Sequence, residues 1–371
     1  MRWPFQLALL LALSVFLAFY PYSWGVNSGL IPVGVDVIYY ASALHEVKGD
    51  LAQYFFKPWC NERPLIFLLI ESLRMTLGLS EVDAVKFVVF ILDPLFVLSC
   101  FVLAWRAAED FEVGVLGALF GLLGVQFTCF TYCYYLANLL ALIELNFALA
   151  LFFDGLRRGS WRLCLAGGLT GSLATFTHPW TWIFYYAAVA ASTLWALRGR
   201  DWFSFRLTAF MLMPGLVLDA FKTFGLGALG GVSSAVLTVA HPRPAFAPLH
   251  VFEFWSGMIF TFRLLYGGAL ACLVYWILIL IGVHRLAVGQ AFSPYVKRFF
   301  LSLLVFTCIL FPFSASHIYS RLVFDLPLFF LAALGFKFLG ERASRFELYV
   351  LWFFLLTVLA VFVMGRLANL V

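Results

Sequence analysis

The sequence predicts an all-α, multi-pass membrane protein of about eleven transmembrane helices, with juxtamembrane helices in its first external loop. Three observations carry that prediction. The 371 residues are 64% hydrophobic and only 12% charged, with mean hydropathy +0.99, against a charged share of about 25% in soluble domains. Apolar stretches of bilayer-spanning length recur along the whole chain, so residues 1–371 read as a single transmembrane domain. The basic residues fall in short loops between those stretches, the pattern that sets membrane orientation. The net charge of +5 is therefore no pointer to nucleic acid.

The first span covers 4–22. Arg2 precedes its apolar run, but no small-x-small cleavage pattern follows, and Pro21, Tyr22 and Trp24 close it as an aromatic belt. It reads as an uncleaved helix. An external loop of 23–83 follows, with surface helices over about 36–48 and 64–79. Further spans lie at 84–105, 113–131, 135–156, 162–178, 180–197, 206–221, 264–283, 299–314, 321–338 and 347–366. A second external loop, about 222–263, opens Gly-rich and continues through His241-Pro242-Arg243-Pro244. Its stretch 224–240 is apolar enough to dip into the bilayer. Loops beyond about 12–15 residues are usually functional or disordered, and neither loop is polar enough for disorder.

Segment 64–79 decides the topology. Its 16 residues span only about 24 Å as a helix. Glu71 and Arg74 at its centre cost about 5–7 kcal/mol on insertion, and its large apolar residues return about 3–6. Energy is thus near balance, and loop charge settles the matter. With 64–79 lying along the surface, Arg2, Arg106, Arg157, Arg158, Arg162, Arg198, Arg200, Arg206, Arg285, Lys297, Arg298, Lys337, Arg342 and Arg345 share one side. These are 14 of the 24 basic residues. The N-terminus is then cytoplasmic, and both long loops are external or luminal.

The chemistry-bearing residues gather in the external loops. Val37, Ala41 and Leu44 recur at helical spacing, with Asp36 at the head of their helix. Asp36 has two readings there: an N-cap or a general base at the membrane surface. Glu62-Arg63-Pro64 opens the second surface helix, where a proline suits the first turn. External cations include Lys48, Lys57, Arg63, Lys86, Lys222, Arg243 and Arg321, with His317 one helical turn before Arg321. Glu81 and Asp83 offer either a divalent-cation site or acidic residues at a helix N-terminus. His178-Pro179 reads as a tight external turn. Asp93 and Glu144 lie inside spans, where charges are expensive and usually functional. The seven cysteines form no metal or disulfide framework, although Cys60 is near enough in topology to pair with Cys129 or Cys133.

This order resembles the amino-terminal module of the GT-C superfamily of membrane glycosyltransferases, which includes protein O-mannosyltransferases and the bacterial aminoarabinose transferase. The matching order is a crossing helix, an Asp at the head of a surface helix, Arg-Pro, a second surface helix and a second crossing. Ser320-Arg321-Leu322-Val323-Phe324-Asp325-Leu326-Pro327 resembles the family's late Arg before a Pro-containing span. Val37 stands where many members carry a second acid, and Asn138 where many carry an Asp at the fourth crossing. The resemblance implies a sugar transferred from a polyprenyl- or dolichyl-phosphate donor on the external face. It implies Asp36 as the catalytic residue, and Arg63, Arg243, His317, Arg321 and Lys57 as candidates for the lipid phosphate. Metal dependence stays open. The rival readings are a lipid or solute transporter or flippase, and a non-catalytic subunit of a membrane complex. Transporters often show repeats and broken helices, and the sequence displays neither.

Overall fold

In the computed structural model the described residues are 2–22, 34, 36–57, 60–226, 269–289, 292–310, 325–353, 356 and 357. Among them every regular element is helical. Four helices are long and apolar enough to cross a bilayer: Pro4–Tyr22, Glu81–Ala108, Leu136–Arg158 and Trp202–Leu226. Phe111–Leu122, Val274–Val288 and Leu328–Gly340 are shorter apolar helices. The chain therefore has the make-up of a helical membrane protein.

The helices are α1 (Arg2–Phe19), α2 (Val37–Val47), α3 (Pro64–Leu77), α4 (Glu81–Ala108), α5 (Phe111–Leu122), α6 (Val125–Cys133) and α7 (Leu136–Arg158). There follow α8 (Trp161–Ser172), α9 (Ala174–Thr177), α10 (Pro179–Arg198), α11 (Trp202–Ala220), α12 (Ala269–Val288), α13 (Pro294–Leu310) and α14 (Leu328–Gly340). Their starts follow local chemistry. Ser80, Asp110, Ser160 and Asp201 each accept a backbone N–H from the first turn of the helix they open, which satisfies donors a helix cannot pair internally.

Small residues set how closely the helices approach. A Cβ on Gly282 would overlap the Leu331 carbonyl, and one on Gly335 would overlap that of Leu278. The α12–α14 seam therefore depends on both glycines, as apolar helix pairs do when hydrophobic burial alone cannot drive association. Gly121 plays the same part for α5 against Cys100 of α4, and Gly167 for α8 against the Ala148 carbonyl of α7.

Two expected spans are interrupted. Residues 113–131 divide into α5 and α6 at Leu123-Gly124, and 162–178 divide into α8 and α9 at Leu173. The freed backbone groups find side-chain partners, as they must in an apolar setting. The Tyr275 hydroxyl donates to the Phe120 carbonyl at 3.4 Å, and Thr175 Oγ1 donates to the Ser172 carbonyl at 2.8 Å. Apolar periodicity runs through both breaks, so hydropathy alone could not show them.

Contacts between helix ends sort them into two groups. At one end, the Lys86 ammonium lies 5.6 Å from the Tyr22 ring centre, so the end of α1 meets the start of α4. The chain between them, with α2 and α3, thus leaves and returns to the same end. At the opposite end, Arg106 pairs with Asp154 at 3.3 Å, Arg157 with Glu109 at 3.1 Å, and Lys337 with Glu112 at 3.5 Å. Arg285 and Arg342 both sit over Phe338 there.

Candidate functional site

The site is built around the head of α2. Asp36 occupies the N-cap position, with φ −90° and ψ −3°, but its carboxylate makes no capping hydrogen bond. The capping reading is therefore corrected: Asp36 holds the N-cap position in an αR backbone conformation rather than the extended one that side-chain caps usually adopt. Its carbonyl accepts the Tyr40 N–H at 3.1 Å. Two residues earlier, Gly34 has φ +126°, and a Cβ there would meet the Tyr134 ring and the Tyr132 carbonyl. Only glycine reaches that conformation readily, so the approach to Asp36 is fixed by close packing on the α6–α7 junction.

Tyr40 and Arg63 meet one helical turn along from Asp36. The buried face of α2 is Val37, Tyr40, Ala43, Leu44 and Val47, centred on Tyr40 rather than on Ala41, which is only half-buried. The Tyr40 hydroxyl accepts the Ala137 N–H at 3.3 Å and is hydrogen-bonded by the Arg63 side chain. Burial pushes the Tyr40 phenol above its usual pKa, with Arg63 pulling the other way and Asp36 adding to the rise. Tyr39 is pushed up to about 12, chiefly by burial, and its ring centre lies 6.0 Å from the Arg63 guanidinium. Burial works against the Arg63 charge, yet Tyr40, Tyr39 and Glu62 hold its pKa above the ordinary value. Arg63 thus sits half-buried at the α2–α3 junction, bonded to Tyr40.

Phe67 locks this junction. Its ring stacks on Tyr54 at 5.6 Å and packs on Tyr40 at 5.4 Å. One turn along α3, Glu71 is fully buried and receives both a 2.8 Å Nε and a 2.8 Å Nη2 hydrogen bond from Arg74. The two charges that made 64–79 expensive to insert form a fork-shaped pair between a buried Glu71 and a partly exposed Arg74.

A second polar cluster adjoins the first through α7. Ala137 bonds Tyr40, and the next residue, Asn138, lies 3.4 Å from both Asp325 Oδ1 and His178 Nδ1. Thr181 Oγ1 donates to Asp325 Oδ1 at 2.8 Å and lies 2.6 Å from His178 Nδ1. A hydroxyl has one proton, so Thr181 donates to one of these two partners at a time. His178 Nδ1 also accepts the Thr181 N–H at 3.4 Å, as the N-cap of α10. All four side chains are buried. His178 does close a turn, as the sequence suggested, but it also joins this network. Asp325 thus supplies a buried carboxylate beside Asn138.

Lys222 is the cation that sequence patterning undervalued. It is fully buried, its Nζ donating to the Thr175 carbonyl at 2.6 Å and the Glu62 carbonyl at 3.4 Å, above the Phe176 ring. It ties the end of α11 to the residue before Arg63. Its only sequence signal is a lysine ending an apolar run. Asp93 accepts from Thr131 at 3.0 Å and Glu144 from Thr177 at 3.0 Å; both carboxyls are held by hydroxyls.

The other predicted residues divide. Lys57 does not join Asp36. It donates to the Glu46 carbonyl at 2.8 Å, ten residues and about 15 Å along α2 from Asp36. Glu81 pairs with His45 at 3.8 Å, while Asp83 pairs with Lys86 at 3.5 Å and accepts from Ser80 Oγ at 2.7 Å. They act as helix-opening acids, and among the described residues no cluster of three or more metal-ligating side chains occurs. Arg243, His317 and Arg321 lie outside the described residues, as do 227–268 as a whole. Cys60 is a free, buried thiol pushed up to about 11 by burial. No protein-family model matches the chain, and no curated protein matches it significantly.

Proposed function

We propose that the protein is a GT-C-type membrane glycosyltransferase that moves a sugar from a polyprenyl- or dolichyl-phosphate donor to an acceptor hydroxyl. Asp36 is the general base. The acceptor oxygen attacks the anomeric carbon, its proton passes to the Asp36 carboxylate, and the bond from that carbon to the phosphate oxygen breaks. The lipid phosphate leaves with the bond's electron pair. Arg321, His317 and Arg243 are assigned to the phosphate, because leaving-group charge needs cationic donors. Arg63 positions Asp36 through Tyr40.

The observation that carries this reading is the Asp36 carboxylate. It makes no capping hydrogen bond, lies at the head of the helix whose buried Tyr40 is hydrogen-bonded by Arg63, and is placed at the end of the bundle opposite the basic loops. The meeting of Tyr22 with Lys86 supports a surface path for 64–79, and with it eleven crossings and an external Asp36. The transporter reading keeps one supporting observation, the interrupted helices α5–α6 and α8–α9, since broken helices often build transport sites.

The test uses the purified chain in liposomes, radiolabelled polyprenyl-phosphate sugars and a panel of acceptors. Wild type transfers sugar, and Asp36→Asn lowers the rate at least about a hundredfold. Unchanged transfer in that variant removes Asp36 from the mechanism, and lipid translocation without transfer favours the transporter. Topology is tested with cysteines introduced at exposed positions: Glu46→Cys labels from outside, and Arg158→Cys only after permeabilisation. Native Cys60 is too buried to serve.

A further inference from the structure

We infer that the seam between α8 and α11 binds an anionic phospholipid, its phosphate held by Arg162 and Arg206 at the end of the bundle opposite Asp36. The site goes beyond the transferase reading and holds whether or not Asp36 is catalytic. Between residues 159 and 206 the chain carries four arginines, Arg162, Arg198, Arg200 and Arg206, and one acid, Asp201. All four arginines are exposed, and among the described residues none of them forms an ion pair. The neighbouring arginines differ: Arg106, Arg157 and Arg158 meet Asp154 at 3.3, 3.1 and 3.7 Å. Asp201 cannot balance the four. Its oxygens accept the Ser204 N–H at 3.1 Å, the Ser204 hydroxyl at 2.6 Å and the Tyr295 hydroxyl at 2.6 Å. The complement of this patch is an anion from outside the chain.

The fold brings two of these arginines to one seam. A Cβ on Gly159 would lie 2.9 Å from the Phe203 ring, so the turn before α8 touches the start of α11. The Trp161 ring centre lies 5.6 Å from that of Phe210, and the Arg162 guanidinium sits 5.7 Å over the Trp161 ring. Phe203, Arg206 and Phe210 are spaced three and four apart, one face of α11. Arg206 therefore shares the face of α11 that Gly159 and Trp161 adjoin. Further along, a Cβ on Gly168 would lie 2.7 Å from the Phe210 and Met211 carbonyls, so the two helices stay in close contact. The surroundings select the ligand. Trp161, Trp195 and Trp202 are each about half-exposed, the placement of an aromatic belt at headgroup level. Beyond the arginines the exposed side chains turn apolar: Leu169 on α8, Leu173 just after it, and Phe210, Met213 and Val217 on α11. From Arg206 to Val217 that run is about 16 Å long. Guanidiniums pair with phosphate through a planar fork, and basic clusters at membrane-helix ends attract anionic headgroups. Two guanidiniums at headgroup level above an apolar seam fit a phospholipid, whereas a free anion has no use for the seam.

The experiment reads lipid binding directly. The full chain in phosphatidylcholine nanodiscs receives a phosphatidylglycerol with a diazirine in its acyl chain, is irradiated, and its labelled peptides are mapped. The expected labels fall within residues 165–173 and 210–217. Unlabelled phosphatidylglycerol competes, and inorganic phosphate does not. Arg162→Gln and Arg206→Gln each lower the yield about fivefold, and rising ionic strength lowers it in the wild type. The double variant Arg162→Lys with Arg206→Lys keeps both charges and most of the yield, which separates lost charge from a lost fold. Arg345→Gln, which removes an exposed arginine elsewhere at the same end, leaves the yield unchanged. Label spread evenly over all lipid-facing helices, an equal loss in Arg345→Gln, or an unchanged yield in either glutamine variant overturns the site. A loss in the lysine variant as deep as in the glutamine ones overturns the role of charge. Competition by inorganic phosphate overturns the lipid and makes the patch a site for free anions.

Discussion

Both ends of the helix bundle carry carboxylate–cation pairs, and they differ in how their other charged groups are held. At the end formed by the 106–112, 154–158 and 337–342 loops, carboxylates meet cations. Asp154 alone pairs with Arg106, Arg157 and Arg158 at 3.3, 3.1 and 3.7 Å, and Lys337 bonds Asp110. Most of these side chains keep some exposure to solvent. At the end that carries α2 and α3, the buried acid Asp325 has hydroxyl and amide partners in Thr181 and Asn138. The half-buried Arg63 and the fully buried Lys222 there are met by a tyrosine hydroxyl and by backbone carbonyls. Solvated pairs are worth little because water competes with them. Buried polar groups with few partners are costly to disturb. The charged groups of the first end are mostly in reach of water, whereas the second end also holds charged groups away from it.

Substitutions can break that contrast, and the largest effect is expected at Glu71. Arg74→Ala strands a fully buried carboxylate; allowing for the partial exposure of Arg74, it should cost about 2–3 kcal/mol, below the range for a fully buried pair. Thermal unfolding in detergent measures it, and a loss below ~1 kcal/mol would mean that water already reaches Glu71. Next comes Thr181→Val, which removes the hydroxyl shared by Asp325 and His178 while keeping its shape. The expected cost is about 1–3 kcal/mol, and a neutral result would show that Asn138 satisfies Asp325 alone.

At the opposite end the effects shrink. Arg157→Ala should cost no more than about 1 kcal/mol, and the loss should fall further as ionic strength rises. A larger, salt-insensitive loss would erase the distinction between the ends. The smallest effect concerns pH. Ser204 and Tyr295 hydroxyls hold the Asp201 carboxyl below its ordinary pKa. A depressed folded pKa gives stability that is complete above the unfolded value near 4 and lost as pH falls through the folded one. Acid unfolding of Asp201→Asn should therefore be flatter than wild type by less than about 0.5 kcal/mol after solvent screening.

The helical class and the grouping of basic loops were legible because both are one-dimensional: apolar length and loop charge need no contacts to be read. The head of α2 was legible for the same reason, since Asp36 opens an amphipathic stretch and Pro64 opens the next. Three features were not. Tyr40 looked like one aromatic among many until Ala137, distant in sequence, bonded its hydroxyl. Lys222 and Asp325 gained meaning from partners 47 and 144 residues away. The breaks at Gly124 and Leu173 were hidden because each lies within one continuous run of mostly apolar residues.

The sequence by itself determined that this chain is helical, apolar and asymmetric in charge, since hydrophobic length and charge distribution act locally along each segment. Only the tertiary structure decided that Asp36 makes no capping hydrogen bond and that Arg63 bonds Tyr40. It alone decided that Asp325 fills the place beside Asn138, and that the turn before α8 meets the start of α11, which brings Arg162 and Arg206 to one seam. Those outcomes depend on which helix faces meet, and no single helix encodes its neighbour.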